Sequence, residues 1–396
     1  MSNARRVAVV RCAYFPQDPR VHKEVAALVE AGFRVTVLCL RMPDEPLEQT
    51  LDGVLSGVRV LRMNRPHRRG SIAKRMGLYL SFLLWASLRL VGEHRREPLS
   101  VVQVNTLPDF LVFCAVPVKL MGVRVVLDLH ELLPELFGSE YAGRLRPYLI
   151  DLITLVERAC IAFSDRVICP GQSYLDVYRS RGAPVHKFTI VYNVPDEGLF
   201  QREDVPREAR LLMAHGSVIP RYGFDEIVRS MPGVLGEFPD AVLEVIGDGE
   251  HMPEIRRIAG ELGVSESVRF VGRLPLEDMS RRVQRATLGV VATARNPFTD
   301  CILPNKVYEL VALGVPVVSS DIRGLMGHFE PGAISYFESG NPDDLAAKVN
   351  DLLRSPKAQQ GQADRAHAIY DPIRWTNNKR DYQRIFTDLC GRPAGD

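Results

Sequence analysis

The chain alternates short β-branched runs with amphipathic stretches, and this alternation, made twice over, restricts the possible folds more than any other feature. The runs are VAVVRC (7–12), RVTVLCL (34–40), VRVLRM (58–63), VVQVN (101–105), RVVLDLH (124–130), RVICP (166–170) and FTIVYN (188–193). Between most of them lie helical patterns such as VHKEVAALVEAG. Apolar strands separated by helices need crossover connections, which generate parallel sheets covered on both faces. A doubly wound, Rossmann-like α/β domain is predicted. After the polar stretch PDEGLFQREDVPRE the rhythm restarts at ARLLMAHG (209–216) and runs through AVLEVIG, VRFVG, LGVVAT and PVVSS. A second domain of the same kind follows, as the length of 396 residues allows. The expected boundaries are 1–198 for the first domain, 199–374 for the second and 375–396 for a closing helix that begins WTNNKRDYQRIFTDL. Ligands of open α/β sheets bind beyond the carboxyl ends of the strands. Two such domains facing each other would gather their chemistry in one inter-domain cleft.

Charge and absent motifs narrow the function. Lys and Arg total 50 against 48 Asp and Glu, a formal charge of +2, so no global field would gather nucleic acid and no nucleic-acid partner is expected. The seven cysteines (Cys12, Cys39, Cys114, Cys160, Cys169, Cys301 and Cys390) lack CxxC spacing and mostly sit in apolar runs. Reduced core thiols and a cytoplasmic location are expected. MSNARR leads directly into VAVVRC without a signal-peptide pattern. The longest uncharged apolar stretch, Met76 to Leu88, is about 13 residues, against roughly 20 needed to span a bilayer. No GxGxxG follows a strand, and GxxxxGK[ST], GxSxG and a strict DxD are absent. His130-Glu131 begins like HExxH, but Pro134 stands where the second histidine would be. No cofactor or metal is expected, and a bound diphosphate would need protein groups to balance its charge.

The most informative stretch is ILPNKVYELVALGVPVVSSD, residues 302–321. Pro304 suits the first position of a helix and Gly314 its stop, with a buried strand following at once. The free amides and positive dipole end at such a helix start suit phosphate. Lys306 and Glu309, three residues apart, share a face, while Val307, Leu310 and Val311 form the buried stripe. A carboxylate at that depth can accept both hydroxyl protons of a ribose, so a nucleoside diphosphate would use both features. A plain surface ion pair between Lys306 and Glu309 has the same spacing.

PNKVYELVALGVPVV resembles the donor-site signature of the retaining glycosyltransferases of family 4, which have the GT-B fold. Other similar segments follow in the family's order: DPRVHKEVAALVEAGFRV (18–35), DLHELLPELF (128–137), YNVPDEGLF (192–200), HGSVIPRYGFDEIV (215–228), EVIGDGE (244–250) and VRFVGRLP (268–275). The resemblance implies transfer from a nucleoside-diphosphate sugar to a hydroxyl, with retention at the anomeric carbon and no catalytic metal. It implies that Glu309 binds the ribose and that Arg221, with Lys306 as a second candidate, supplies the diphosphate cation. Amides around Leu303, Pro304 and Asn305 would assist. His130, at a strand end, would lie beside the transferred sugar. Gly216 belongs to the glycine-rich opening of the second domain, Gly247 and Gly249 would allow close backbone approach, and Arg273 would lie near the base. Asp18, Arg20 and Asn105 are assigned to the acceptor side, although Asp18 also suits a helix cap.

Two features depart from the family pattern. The usual Lys-Gly pair is Tyr222-Gly223 here, and the glutamate expected eight positions before Glu309 is replaced by Cys301, with Asp300 adjacent. A nucleotide-sugar epimerase of the same architecture, or a nucleotide-sugar binding protein without catalysis, are the alternatives to a glycosyltransferase acting on a carbohydrate or lipid-linked acceptor. Residues 62–96 carry Arg62, Arg65, Arg68, Arg69, Lys74, Arg75, Arg89, Arg95 and Arg96 against the acid Glu93, bracketing MGLYLSFLLWASL. This segment reads either as an interfacial helix for an anionic membrane surface or as a core helix with solvated basic flanks.

Overall fold

The computed structural model describes residues 5–65, 72–141, 146–203 and 205–391. The chain forms two compact units, Met1–Asn193 together with Asn378–Asp396, and Val194–Asn377. The first unit holds β1 (Arg6–Tyr14), β2 (Arg34–Leu40), β3 (Glu48–Thr50), β4 (Arg59–Met63), β5 (Val101–Asn105), β6 (Arg124–Asp128), β7 (Arg166–Cys169) and β8 (Phe188–Ile190). They form one eight-stranded sheet in the order β3-β4-β2-β1-β5-β6-β7-β8. Only the exposed edge strand β3, which the hydropathy pattern did not reveal, runs antiparallel. The second unit holds β9 (Leu211–His215), β10 (Val242–Ile246), β11 (Val268–Gly272), β12 (Leu288–Val291), β13 (Val317–Ser320) and β14 (Ser335–Phe337). These form an all-parallel sheet in the order β11-β10-β9-β12-β13-β14. Strand order reverses at β1/β5 in one unit and at β9/β12 in the other, the switch points beside which ligands of such sheets bind.

The chain passes between units at Asn193, five positions before the expected boundary at 198. The helix Trp375–Leu389 does not stand apart as a closing element: from Asn378 onward it belongs to the first unit. The reason is its apolar stripe. Tyr382, Ile385 and Phe386 are buried, Phe386 meets Phe33 edge-on with centroids 6.2 Å apart, and the Tyr382 hydroxyl donates to Gln103 Oε1 at 2.6 Å. Gln383 donates to the Ala27 carbonyl at 2.8 Å, at the end of helix Pro19–Glu30.

Helix Ile72–Arg96 buries one apolar row and exposes another. Leu78, Phe82, Ala86 and Leu90, four residues apart, are buried, whereas Ile72, Met76, Leu80, Leu84 and Leu88, also four apart, are exposed. One apolar row therefore faces the core and a second faces out. Arg62 does not contribute to the outer surface: it is buried in β4 and paired with Glu45 at 3.1 Å. Glu93 is buried between Arg6 and Arg59, at 2.8 and 2.7 Å, so it does not offset the outer arginines. Arg68 and Arg69 lie outside the described residues. The division of this helix predicts that Phe82→Ala lowers unfolding free energy by about 3–5 kcal/mol, whereas Leu84→Ala stays within about 0.5 kcal/mol. Urea unfolding of the two variants measures the contrast; equal losses would refute it.

Candidate functional site

Each unit places polar side chains at the carboxyl edge of its sheet. In the first unit they form a linked buried group. β6 ends at Asp128, whose Oδ2 lies 3.0 Å from His130 Nε2 and whose Oδ1 pairs with Arg20. Arg20 Nε also donates to Glu24 Oε1 at 3.0 Å, and Gln103 Nε2 donates to Glu24 Oε2 and Asn105 Oδ1, both at 2.9 Å. The His130 amide donates to Thr106 Oγ1 at 3.0 Å, and its ring Nε2 lies 3.3 Å from Asn105 Oδ1. Burial alone would raise Asp128, but Arg20 and His130 override it and hold the carboxyl at about 2. Burial, reinforced by the Arg20 charge, pushes His130 down to about 4 despite Asp128. The imidazole is therefore neutral near pH 7. With Nε2 facing two oxygens, its single proton sits on Nε2 and Nδ1 is left as an acceptor.

Of the residues expected on the acceptor side, Asn105 is buried at the β1/β5 switch point, and its Nδ2 has no partner among the described residues. The structure gives Arg20 and Asp18 partners within the protein. Arg20 is buried and paired with Glu24 and Asp128. Asp18 is the N-cap of helix Pro19–Glu30, accepting from the Arg20 and Val21 amides at 3.2 and 3.3 Å, with its second oxygen held by Arg11 at 2.9 Å. Arg11, near the end of β1, also donates to the Thr106 carbonyl and was not anticipated from sequence. Its position near a strand's carboxyl end was the available signal.

In the second unit, helix Asn305–Ala312 starts one residue later than expected. Pro304 is its N-cap, with extended backbone, rather than its first helical residue, and no side chain caps the start. Proline has no N–H and the Val307 amide is bonded to the Pro304 carbonyl at 2.9 Å. The Asn305 and Lys306 amides have no partner among the described residues, while Leu303 and Pro304 are buried and bring no side-chain chemistry. Gly314 ends the helix with φ 71°, as expected of a stop. Lys306 Nζ lies 4.0 Å from the Tyr222 ring and 4.7 Å from the Phe224 ring. The Arg221 guanidinium lies 5.8 Å from the same Tyr222 ring and 5.9 Å from Phe298. Tyr222, standing where the family has lysine, is the aromatic surface on which both candidate cations converge. Burial lowers Lys306 to about 7, with Glu309 pulling the other way.

Glu309 Oε2 lies 2.7 Å from His215 Nε2, and His215 is buried at the end of β9. His215 was quoted in the sequence motif without a role; it positions the carboxylate. Gly216, at φ 113°, leaves the room that Lys306 occupies, since a Cβ there would lie 2.5 Å from Lys306 Cε. The close approaches at Gly247 and Gly249 are made by protein backbone. A Cβ would lie 1.9 Å from the Gly216 carbonyl oxygen in one case and 2.1 Å from that of Val218 in the other. Both glycines shape the loop rather than directly admitting a ligand. Arg273 is exposed just beyond β11. Asp300 cannot substitute for the missing glutamate, because it is buried and holds the Arg323 amide and guanidinium at 2.8 and 2.5 Å. Among the described residues no group of three His, Cys, Asp or Glu could hold a metal ion.

The chain matches two family models, "Glycosyl transferase 4-like domain" over residues 17–194 and "Glycosyl transferases group 1" over residues 209–355. It belongs to the glycosyltransferases of the GT-B fold, and its two domains are of the kind found in family 4. Among curated proteins it is 32% identical, over 40% of its length, to a GDP-mannose-dependent monoacylated alpha-(1-6)-phosphatidylinositol monomannoside mannosyltransferase of Corynebacterium glutamicum. That match spans 42% of the relative, as does a match to a mannosyltransferase of Mycolicibacterium smegmatis. It is 21% identical to N-acetyl-alpha-D-glucosaminyl L-malate synthase of Bacillus anthracis, over 74% of this chain and 76% of that one. Sucrose-phosphate synthase of Thermosynechococcus elongatus shares the fold with TM-score 0.77 and 16% identity, covering 97% of this chain and 99% of that one. HepE of Anabaena, solved with UDP, gives TM-score 0.69 and 15% identity over the same shares.

The neutral, half-buried histidine predicts a pH signature. The folded value of His130, about 4, lies below its ordinary 6.5. Its contribution to stability is therefore complete above pH 6.5 and is lost as pH falls toward 4, because the unfolded chain takes up the proton first. Thermal unfolding between pH 7.5 and 4.5 should fall more steeply for the wild type than for His130→Gln. Parallel curves would contradict the assignment.

Proposed function

We propose that this chain transfers a sugar from a nucleoside-diphosphate sugar to a hydroxyl acceptor, with retention of anomeric configuration and with protein groups in place of a catalytic metal. The observation that carries the reading is the second unit's helix start, where two amides without a partner among the described residues, with Lys306 and Arg221, accompany Glu309 held by His215. Amides and cations at a helix start suit a diphosphate, and a carboxylate on the same helix suits a ribose. The names of the relatives support it: one is described as GDP-mannose-dependent, and a neighbour of the same fold is solved with UDP.

In this reading the bond between the anomeric carbon and the leaving phosphate oxygen breaks as the acceptor oxygen bonds to the same face, and the acceptor proton passes to the departing phosphate. Negative charge grows on the β-phosphate while the sugar becomes oxocarbenium-like. Groups already aimed at that phosphate stabilise the transition state more than the ground state. His130 serves the acceptor side in the first unit. Its Nδ1 can accept from a sugar hydroxyl, but an imidazole held near 4 is a poor proton abstractor at neutral pH. The orphaned Asn105 Nδ2 offers a donor to an acceptor oxygen.

The test begins with thermal shift using UDP, GDP, ADP and dTDP, of which at least one should stabilise the protein. Arg221→Ala should cut turnover at least tenfold, a loss of one phosphate donor being worth on the order of 2.7–4 kcal/mol by analogy with an oxyanion hole. His130→Ala should abolish transfer while changing nucleotide affinity less than twofold. Near-normal turnover of the arginine variant would remove Arg221 from the site. A large loss of nucleotide binding in the histidine variant would refute its place on the acceptor side.

We also propose that the outer row of helix Ile72–Arg96 docks on an anionic membrane. No helix among the described residues is long and apolar enough to cross one. The exposed Leu80, Leu84 and Leu88 lie on the same helix as exposed Lys74, Arg89, Arg95 and Arg96, a combination suited to the headgroup boundary. Each such charge near the surface is worth about 1 kcal/mol. The lipid named in the mannosyltransferase relatives supports this reading. The protein should pellet with phosphatidylglycerol-containing vesicles and not with neutral ones, and Leu84→Glu with Leu88→Glu should release it. Equal recovery in both supernatants would overturn the proposal.

A further inference from the structure

The first unit contains a cavity of about 340 Å³ enclosed by helices Ile72–Arg96, Leu133–Glu140 and Arg146–Phe163 and by the segment that follows β5. Its walls include Tyr79, Leu107, Phe110, Leu136, Phe137 and Val156. The volume falls within the roughly 300–1,000 Å³ usual for small-ligand sites. Arg75, Glu140 and Tyr141 also border it, but most of the lining is apolar, so a sugar would leave most of its hydroxyls unpaired there, and a peptide helix about 10–12 Å across needs more room. A single hydrocarbon chain meets both conditions.

Three further observations point to what that chain belongs to. Ile72, Met76 and Leu152 line the cavity and are also exposed, at 52%, 41% and 54%, so its apolar wall continues outward onto the exposed row of helix Ile72–Arg96 and to Leu149 and Leu155. The inner end adjoins the acceptor-side residues through the chain: Leu107 and Pro108 follow Thr106, which holds the His130 amide, and Leu133 lies three residues past His130. Asp109 borders the cavity, is 1% exposed, and its Oδ1 has no hydrogen-bond partner among the described residues. Burial and the neighbouring Glu157 push its carboxyl up to about 8, against Arg181, so near neutral pH it carries a proton to donate. A buried carboxyl oxygen without a partner is costly unless a ligand supplies one.

We propose that this cavity binds the hydrocarbon chain of a lipid-linked acceptor, with Asp109 hydrogen-bonding the polar linkage at which the chain meets its headgroup. The assignment rests on the glycosyltransferase reading and narrows its acceptor to an amphiphile recognised by its tail. The exposed row brings the protein to the surface where such lipids lie, and the cavity takes one chain out of it.

The test is calorimetric titration of the full-length protein with n-hexyl, n-heptyl, n-octyl and n-decyl β-D-glucoside, each below its micelle concentration. Burying a methylene is worth about 0.8 kcal/mol, or about fourfold in affinity, so binding should tighten by that factor per carbon until the cavity is filled. Leu136→Trp and Val156→Phe, which fill the cavity from two sides, should abolish the dependence on chain length, circular dichroism showing that each is folded. Asp109→Leu should keep the dependence and weaken the whole series. Leu84→Glu, outside the cavity, should match the wild type. A wild type indifferent to chain length, or two folded cavity variants that retain the dependence, would overturn the proposal. Loss of the dependence in Leu84→Glu would also overturn it, by assigning the chain to the outer surface. Thermal shift by UDP or GDP keeps the two readings apart. Nucleotide stabilisation without a chain-length dependence refutes the cavity assignment, and the converse refutes the transferase reading.

Discussion

The ion pair between Arg20 and Asp128 supports the first unit's polar edge. β1, β5 and β6 are apolar for most of their length and buried, so a charge at their ends survives only if it is compensated in place. Arg20 supplies that compensation. It keeps Asp128 ionised while buried, the ionised Asp128 fixes the proton of His130 on Nε2, and the same guanidinium helps keep the imidazole neutral. Removing Arg20 would take from the buried acids Asp128 and Glu24 the guanidinium that both are paired with. The histidine's geometry is thus set two residues deep, from helix Pro19–Glu30 rather than from its own loop.

The second unit solves a different problem with different means. Its two candidate cations are gathered around an aromatic ring, and the charge nearest Lys306 is that of Glu309 on the same helix. Desolvation brings that lysine down to about 7, so a phosphate at the helix start would restore its charge on binding. In the first unit the charges are already closed among themselves.

Much of this architecture was legible in the sequence because parallel strands buried on both faces read as unbroken apolar runs. The strands at 34–40, 101–105 and 166–169 were visible for that reason. The edge strand Glu48–Thr50 was invisible, being three exposed polar residues with no apolar signature. The destination of the last helix was also hidden, since its stripe of Tyr382, Ile385 and Phe386 tells which face is buried but not against which unit. At the candidate site, Lys306, Glu309 and His130 stood out by motif. The linking residues His215 and Arg11 did not, because their roles depend on partners 94 and 95 positions away. Spacing along one helix is readable; contacts between separate strand ends are not.

The return of residues 378–389 to the first unit makes the second unit an insertion within it. On the ribosome, the strands β1 to β8 emerge early, yet the ring of Tyr382 that meets Gln103 and the ring of Phe386 that meets Phe33 are made only after the whole inserted unit. At roughly 5–20 residues per second, that delay is on the order of 10–40 s. During it the inserted unit, whose sequence is continuous, can mature in full, while the first lacks the helix that covers Phe33 and Gln103. Nascent chains halted before residue 378 would therefore be natural clients for chaperones that hold exposed hydrophobic surface.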